Sequence, residues 1–154
     1  MRQFQVEATC SEDIYHPQLR FWHGPNHFDG TFQDKHFQKV TSICPDALLQ
    51  LRLYVGAPSW WLEQHPDHCQ VFADGHIEHE VQRGGRLKLP SLASPLWRAE
   101  TCHALKTYIE WLVETGWSRR ISALFLCYGC LLYTSDLTID CVFMFLFSFI
   151  LFIC

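Results

Sequence analysis

The feature that most constrains the folding of this chain is an abrupt change of composition after Arg119-Arg120. All 12 basic residues, all 9 His and all 6 Trp precede residue 121, together with 14 of the 16 acidic residues. The residues beyond this point keep only Asp136 and Asp140 as charges, but they hold 6 of the 12 Phe and 4 of the 8 Cys. We therefore expect residues 1–120 to fold as a single domain and residues 121–154 to form an apolar tail.

The apolar tail has two interpretations. Its apolar runs, residues 121–133 and 141–154, would each form a helix of roughly 20 Å, shorter than the hydrocarbon core of a bilayer. They would give a tail anchor, with a membrane as partner, only if residues 121–154 are native. However, residues 130–136 read Cys-Leu-Leu-Tyr-Thr-Ser-Asp, which a transposase-end adapter from a sequencing library would encode. We therefore interpret residues 130–154 as a non-native, adapter read-through segment that follows a truncated protein.

Charge and cysteine placement narrow the class of protein. Residues 1–120 carry 12 basic against 14 acidic residues, a net charge of −2, which argues against general electrostatic binding of nucleic acid. Their cysteines, at positions 10, 44, 69 and 102, include no Cys-x-x-Cys pair, and the first residues lack the apolar run of a signal peptide. Scattered thiols without an export signal are typical of a reducing compartment, so we expect a cytoplasmic protein.

Hydrophobic periodicity predicts the secondary structure. Alternating apolar residues predict strands over residues 3–9, 18–23 and 49–55, whereas residues 31–44 fit either a strand or a short helix. Ser59 is the predicted N-cap of a short helix that ends at Gln64. Ser94-Pro95 predicts the N-terminus of a long helix, residues 95–115, which Gly116 ends. Its inward residues are predicted to be Cys102, Leu105, Ile109 and Leu112.

The dipeptide Asp74-Gly75 predicts a hairpin with a two-residue type I′ turn. With a second turn at Gly84-Gly85, residues 69–89 form an antiparallel meander. A helix that is apolar over much of its circumference needs a sheet to cover. We therefore predict an α+β fold in which an antiparallel sheet, including the meander, is packed by the helix over residues 95–115.

The predicted hairpin also suggests a metal site. Its register places Cys69, His76 and Glu78 on one face of the sheet, where they could hold zinc or another divalent metal at an open site. No four-ligand set closes across the sheet, so the main expectation is that no cofactor is bound. A slip of one residue in the register would regroup these side chains.

A second polar cluster lies in the segment His23-Gly-Pro-Asn-His27-Phe-Asp29. Polar side chains on a Gly/Pro loop are where functional sites often lie, and His23, His27 and Asp29 are the candidate catalytic residues of a hydrolase. No protease, nuclease, deaminase or nucleotide-binding signature that we can recognise accompanies them. The sequence therefore does not establish that the protein is an enzyme.

Two further groups are candidate binding residues. Arg83, Arg86 and Lys88 form the only basic concentration and are the candidate contacts for nucleic acid, a partner that the net charge disfavours. Trp22, Trp60 and Trp61 lie at or beside turns, and Trp is enriched in the anchors of protein interfaces.

The sequence alone assigns no biochemical function. Our leading prediction is a small soluble accessory or binding module that contacts a protein partner or forms a homo-oligomer through these Trp residues. The alternatives are a His-rich hydrolase-like enzyme, metal-dependent or not, and a tail-anchored membrane protein if the tail is native.

Overall fold

The computed structural model describes residues 3–9, 21–54, 56–81 and 85–127. Their strands and helices follow one another along the chain as β1 (Gln3–Thr9), β2 (Trp22–Gly24), β3 (His27–Phe28), α1 (Thr31–Ile43), β4 (Leu48–Tyr54), α2 (Ser59–Gln64), β5 (Glu78–Val81), β6 (Gly85–Lys88), α3 (Pro95–Glu114) and β7 (Ile121–Cys127). Short 3₁₀ turns occupy Pro66–His68 and Trp117–Arg120. The protein is thus a mixture of helix and strand, with small antiparallel pairs and one long helix.

The largest sheet is parallel. Strand β4 lies between β1 and β7 and runs parallel to both, with Leu51 beside Val6 on one side and beside Leu124 on the other. The predicted antiparallel sheet is therefore wrong for the strands that the long helix covers. Alternation of apolar residues indicates which face of a strand is buried, but it carries no information about the direction of the neighbouring strand. The helix-containing connections between these strands provide the crossovers that parallel pairing requires.

Both longer helices cover the same face of this sheet. Leu49, Leu51 and Leu53 of β4 are fully buried, and they share one cluster with Phe37 of α1 and Tyr108 of α3. Phe21, Leu105 and Leu112 complete that cluster. Burying a Leu side chain of this kind contributes roughly 1.5–3 kcal/mol, so β4 and the two helices stabilise one another.

The ambiguous segment after residue 30 is a helix. Gln33 and Phe37 are buried and Val40 is partly buried, a spacing of four and three residues that places all three on one helical face. Helix α2 ends at Gln64 as expected, but it begins at Ser59 with Pro58 in the N-cap position, so the predicted N-cap at Ser59 is wrong by one residue.

The long helix follows its sequence signals closely. Ser94 is the N-cap and its Oγ accepts a hydrogen bond from the Trp97 amide at 3.1 Å, while Gly116 takes the left-handed conformation (φ 80°) beyond the last turn. The predicted inward position of Cys102 is wrong, because its side chain is exposed. The buried residues are Trp97, Ala104, Leu105, Tyr108 and Leu112.

The hairpin at Asp74-Gly75 has a three-residue loop in place of the predicted two-residue turn. The Phe72 amide donates to the His76 carbonyl at 2.9 Å, and the Gly75 amide donates to the Phe72 carbonyl at 2.9 Å. Phe72 therefore faces His76, and Gly75 at φ 87° supplies the left-handed residue that such a loop needs. The register is shifted by one residue from the predicted one.

The predicted meander over residues 69–89 is present only in part. Strands β5 and β6 form an antiparallel pair, with Glu78 opposite Lys88. The segment before the hairpin makes a single bridge, Cys69 to Pro90, and it is not a strand. The long helix packs on β4 of the parallel sheet.

The start of the predicted apolar tail is part of the sheet. Residues Ile121–Cys127 form β7, and Ile121 and Leu124 pack against the core cluster. The interpretation of residues 130–154 as non-native concerns positions outside the described part of the chain. Within the described ranges, no helix has the length and apolar character needed to cross a membrane.

Candidate functional site

A cluster of polar side chains lies where the parallel strands end. Only a short turn separates the end of α3 from the start of β7, so the helix runs antiparallel to the strands of the sheet. Its N-cap, Ser94, is at the opposite end of the helix from that turn. This N-cap therefore lies at the carboxyl edge of the strands, the edge that the chain also reaches when β4 leads into α2. Ligands of α/β sheets bind outside the carboxyl ends of the strands.

A serine and a histidine meet at this edge. The Oγ of Ser94 lies 2.8 Å from Nδ1 of His68. The Ser94 Oγ also accepts a hydrogen bond from the Trp97 amide, and its own proton can be donated to the imidazole. The imidazole accepts that proton in the tautomer that carries its own hydrogen on Nε2. The main chain reinforces the contact, since the Ser91 amide donates to the His68 carbonyl at 2.8 Å.

The indole ring of Trp61 packs against His68 and against the neighbouring His65. Trp61 is 0% exposed, and its centroid lies 4.8 Å from that of His65 and 6.4 Å from that of His68. Its Nε1 donates a hydrogen bond to Oε2 of Glu100, one turn or more into α3. Two imidazoles and a carboxylate therefore contact a single buried ring, and the Ser94 hydroxyl is bonded to one of those imidazoles. Groups of these types in one place are typical of acid–base and nucleophilic sites.

The thiol nearest the cluster is not activated. Cys69 is buried and its Sγ donates to the His65 carbonyl at 3.7 Å. Burial raises the pKa of the Cys69 thiol, and the positive charge of Lys88 opposes this only as a smaller effect. Because its pKa is raised, Cys69 is a neutral thiol near pH 7. Only the thiolate is a good nucleophile or metal ligand, so Cys69 is suited to neither role.

Two of the candidate metal residues, Cys69 and His76, have different surroundings. Cys69 is buried beside His65, whereas His76 is exposed on the hairpin, where its ring stacks on Phe72 at 4.2 Å between centroids and contacts Asp74. Hydrogen bonds from the His76 backbone and then from its side chain lower the pKa of Asp74. Glu78 lies in β5 opposite Lys88. No three His, Cys, Asp or Glu residues are placed to hold one ion in the part of the chain that the structure describes.

The candidate catalytic residues of the other cluster do come together, at the surface. The rings of His23 and His27 lie 5.4 Å apart between centroids, and both side chains are exposed, as is Asp29. Oδ1 of Asp29 accepts hydrogen bonds from the Thr31 amide at 2.8 Å and the Thr31 hydroxyl at 2.5 Å. The Thr31 side chain and then its amide lower the pKa of Asp29, and the two histidines add a smaller effect in the same direction. Asp29 thereby satisfies the first amide of α1.

Two of the three candidate interface tryptophans are core residues. Trp22 is 5% exposed and Trp61 is 0% exposed, and both belong to a second hydrophobic cluster with Trp97. Trp60 is partly buried, and it contacts Trp22 edge to face at 5.2 Å. Only Trp60 therefore keeps ring surface for a partner.

The candidate nucleic-acid residues are described only in part. Lys88 is half-buried at the end of β6. Arg86 lies in the same strand, and Arg83 lies outside the described residues.

The pairing of His68 with Ser94 is not predicted by any motif in the sequence. Ser94 is recognisable in the sequence as a helix cap, but 26 positions separate it from His68 and no local pattern joins the two. No protein-family model matches this chain, and comparisons with curated proteins and with solved structures also found no match.

Proposed function

We propose that this protein is a hydrolase-like enzyme in which Ser94 is the nucleophile and His68 is the general base. The observation that supports the proposal is the 2.8 Å separation of Ser94 Oγ and His68 Nδ1 at the carboxyl edge of a parallel sheet. A serine hydroxyl is a weak nucleophile by itself, and a base within hydrogen-bond distance activates it.

The proposed reaction is acyl transfer from an ester to water. Ser94 Oγ bonds to the carbonyl carbon while its proton passes to His68 Nδ1. The bond to the leaving alkoxide then breaks, and His68 returns the proton to that oxygen. Water attacks the acyl-serine with His68 again as base, which releases the acid and restores the Ser94 hydroxyl.

The position of Ser94 favours the negative charge that develops in this reaction. Ser94 is the N-cap of a helix of 20 residues, and the N-terminus of a helix carries partial positive charge. Preorganised dipoles of this kind stabilise an oxyanion, which is often the largest contribution to catalysis. Ser94 is 6% exposed and His68 is half-buried, so substrate would approach across the His68 ring.

The direct test uses the full chain and a fluorophosphonate probe, which labels activated serines. We expect labelling of the wild type, and hydrolysis of p-nitrophenyl acetate, that Ser94→Ala abolishes and His68→Gln reduces by roughly 10²-fold or more. Ser91→Ala is the matched control, because it removes a serine from the same loop and should leave labelling unchanged. Wild-type protein that is not labelled, or Ser94→Ala protein that is labelled equally, would refute the proposal.

The protein-binding module stays the second proposal, with a protein partner or a second copy of the chain bound at Trp60. Trp22 and Trp61 are buried and are not accessible to a partner, which weakens this proposal. The accessible part of the Trp60 ring is the observation that favours it. Concentration-dependent association that Trp60→Ala removes would support this second function.

Two further expectations accompany these proposals. We propose that the described elements belong to one α+β unit, and that the protein is cytoplasmic. The thiols of Cys44, Cys69 and Cys102 are free, which supports a reducing compartment. Localisation of the full chain by microscopy of a tagged copy tests the second expectation.

A further inference from the structure

We infer that His23 and His27 form a two-imidazole site for a divalent transition-metal ion at the tip of the β2–β3 hairpin. The inference does not depend on the proposed hydrolase activity, because neither histidine contacts Ser94 or His68 in the interactions described above.

The turn of this hairpin is tight and defined. Gly24 pairs with His27, so Pro25 and Asn26 form a two-residue loop. Proline fixes the first loop position, and Asn26 adopts the left-handed conformation at φ 55°, which asparagine tolerates better than most residues. The loop therefore holds the two flanking strands, and the histidines they carry, at a fixed separation.

A bulge in β2 turns His23 toward His27. The register shifts between Trp22 and Gly24, because Trp22 pairs with Phe28 while Gly24 pairs with His27. His23 is thus the additional residue of the first strand. Bulges of this kind redirect a side chain and occur often beside functional sites. Trp22 and Gly24 are buried on either side, so the His23 side chain is directed into solvent, where His27 also lies.

The separation of the rings suits shared coordination. Two imidazoles that bind one tetrahedral ion through nitrogens at about 2.1 Å have ring centroids roughly 5 Å apart. The observed separation of His23 and His27 is 5.4 Å with an angle of 39° between the rings. Both rings are exposed, so each can rotate to direct a nitrogen at the ion, and water completes the coordination.

The surroundings add charge without adding a third ligand. Asp29 follows His27 by two residues, and its exposed carboxylate is a negative charge beside the hairpin. Thr31 donates two hydrogen bonds to Oδ1 of Asp29, so we assign Asp29 no role as a ligand and regard it only as a nearby negative charge. Imidazole ligands suit Zn²⁺, Ni²⁺ and Cu²⁺, and affinity for such a site rises toward Cu²⁺.

The test is calorimetric titration of the full chain with NiCl₂ alone, near neutral pH. We expect one site that His23→Ala and His27→Ala each weaken by about tenfold or more, since each variant leaves a single imidazole. His103→Ala is the matched control, because His103 is exposed and packs against Phe28 of the same hairpin at 5.7 Å between ring centroids.

The outcomes separate cleanly. Loss of the site in both hairpin variants, with an unchanged circular dichroism spectrum and unchanged binding in His103→Ala, supports the inference. Wild-type binding that survives in the His23→Ala/His27→Ala double variant, or binding that His103→Ala removes equally, overturns it. The Ni²⁺ titration does not depend on the labelling of Ser94. The metal-site inference can therefore be refuted without affecting the hydrolase proposal, and the reverse also holds.

Discussion

At the scale of single residues, Ser94 combines a structural contact and a chemical one at the same oxygen. Its Oγ accepts the Trp97 amide, which satisfies one of the unpaired donors at the start of α3, and it also faces His68. A variant that loses activity because the helix has frayed must therefore be distinguished from one that has lost the nucleophile. A substitution that keeps a helix-capping side chain but removes the hydroxyl separates the two effects.

We predict that Ser94→Ala lowers the free energy of unfolding by about 1 kcal/mol, the usual cost of removing an N-cap. Ser94→Asp keeps an acceptor for the Trp97 amide, so it should retain most of that stability while it still loses fluorophosphonate labelling. Urea unfolding monitored by tryptophan fluorescence measures the stability difference. Equal stability of Ser94→Ala and wild type would show that the cap contributes nothing.

Asp29 provides a prediction that depends on pH. Its pKa is lower in the folded protein than the ordinary value of 3.8, mainly through the Thr31 hydroxyl, so its carboxylate stabilises the fold above pH 3.8. That contribution is lost as the pH falls through the lowered pKa. Asp29→Ala should therefore reduce the melting temperature at about pH 6, and the difference from wild type should narrow at about pH 2. Asp29→Asn, which keeps the acceptor and cannot titrate, should remove most of this pH dependence; a wild-type advantage that grows in acid would contradict the assignment.

At the scale of the elements, β4 and the start of α1 both pack closely against the core. Leu51 is fully buried between β1 and β7 and faces both helices, whereas Leu48 of the same strand is only half-buried. Gly30 precedes α1 and lies against the Trp111 ring, so a Cβ at that position would overlap the ring. Gly24, in contrast, has only ordinary contact distance to its nearest neighbour, at 3.8 Å.

We predict that Leu51→Ala costs roughly 2–5 kcal/mol, because it removes a buried side chain and leaves a cavity. Leu48→Ala is the matched control in the same strand and should cost clearly less. Chemical denaturation of both variants provides the comparison. Similar losses in the two variants would show that β4 does not present one buried face to the helices.

The close approach of α1 to α3 gives a second prediction for the elements. Gly30→Ala should destabilise the protein by about 1–3 kcal/mol, since Trp111 or the backbone must move to admit the methyl group. Gly24→Ala should be tolerated better. Thermal unfolding measured by circular dichroism tests the pair, and a Gly30→Ala variant as stable as Gly24→Ala would show that Trp111 has room to shift.

At the scale of the whole molecule, β7 decides how far the folded unit extends. Composition separates residues 121–154 from the rest, yet Ile121–Cys127 pairs along β4 and contributes Ile121 and Leu124 to the core. A continuous apolar run is what a strand buried on both faces requires, and parallel strands are commonly of this kind. The same run resembles a membrane segment when it is read without its neighbours.

We predict that truncation after Arg120 unfolds the protein or lowers its melting temperature strongly, because β4 loses one hydrogen-bonded neighbour. Truncation after Cys127 is the matched control and should retain the circular dichroism spectrum of the full chain. If the two truncated proteins are equally stable, β7 does not contribute to the fold.

Local signals in the sequence determined those parts of the structure that depend on near neighbours. Ser94-Pro95 and Gly116 defined the ends of α3, and alternation over residues 49–55 located β4 and its buried face. The His23–His27 cluster was also recognisable, because a short loop separates its members. Each of these features is governed by backbone conformation or by periodicity over a few residues.

Only the tertiary structure decided the features that depend on distant partners. The parallel direction of β1, β4 and β7, the membership of β7 in the sheet and the contact of His68 with Ser94 all join residues far apart in the chain. The sequence identified the turn at Asp74-Gly75, but one additional loop residue shifted its register. Long-range pairing follows from the way whole elements bury their apolar faces together, and no window of neighbouring residues contains that information.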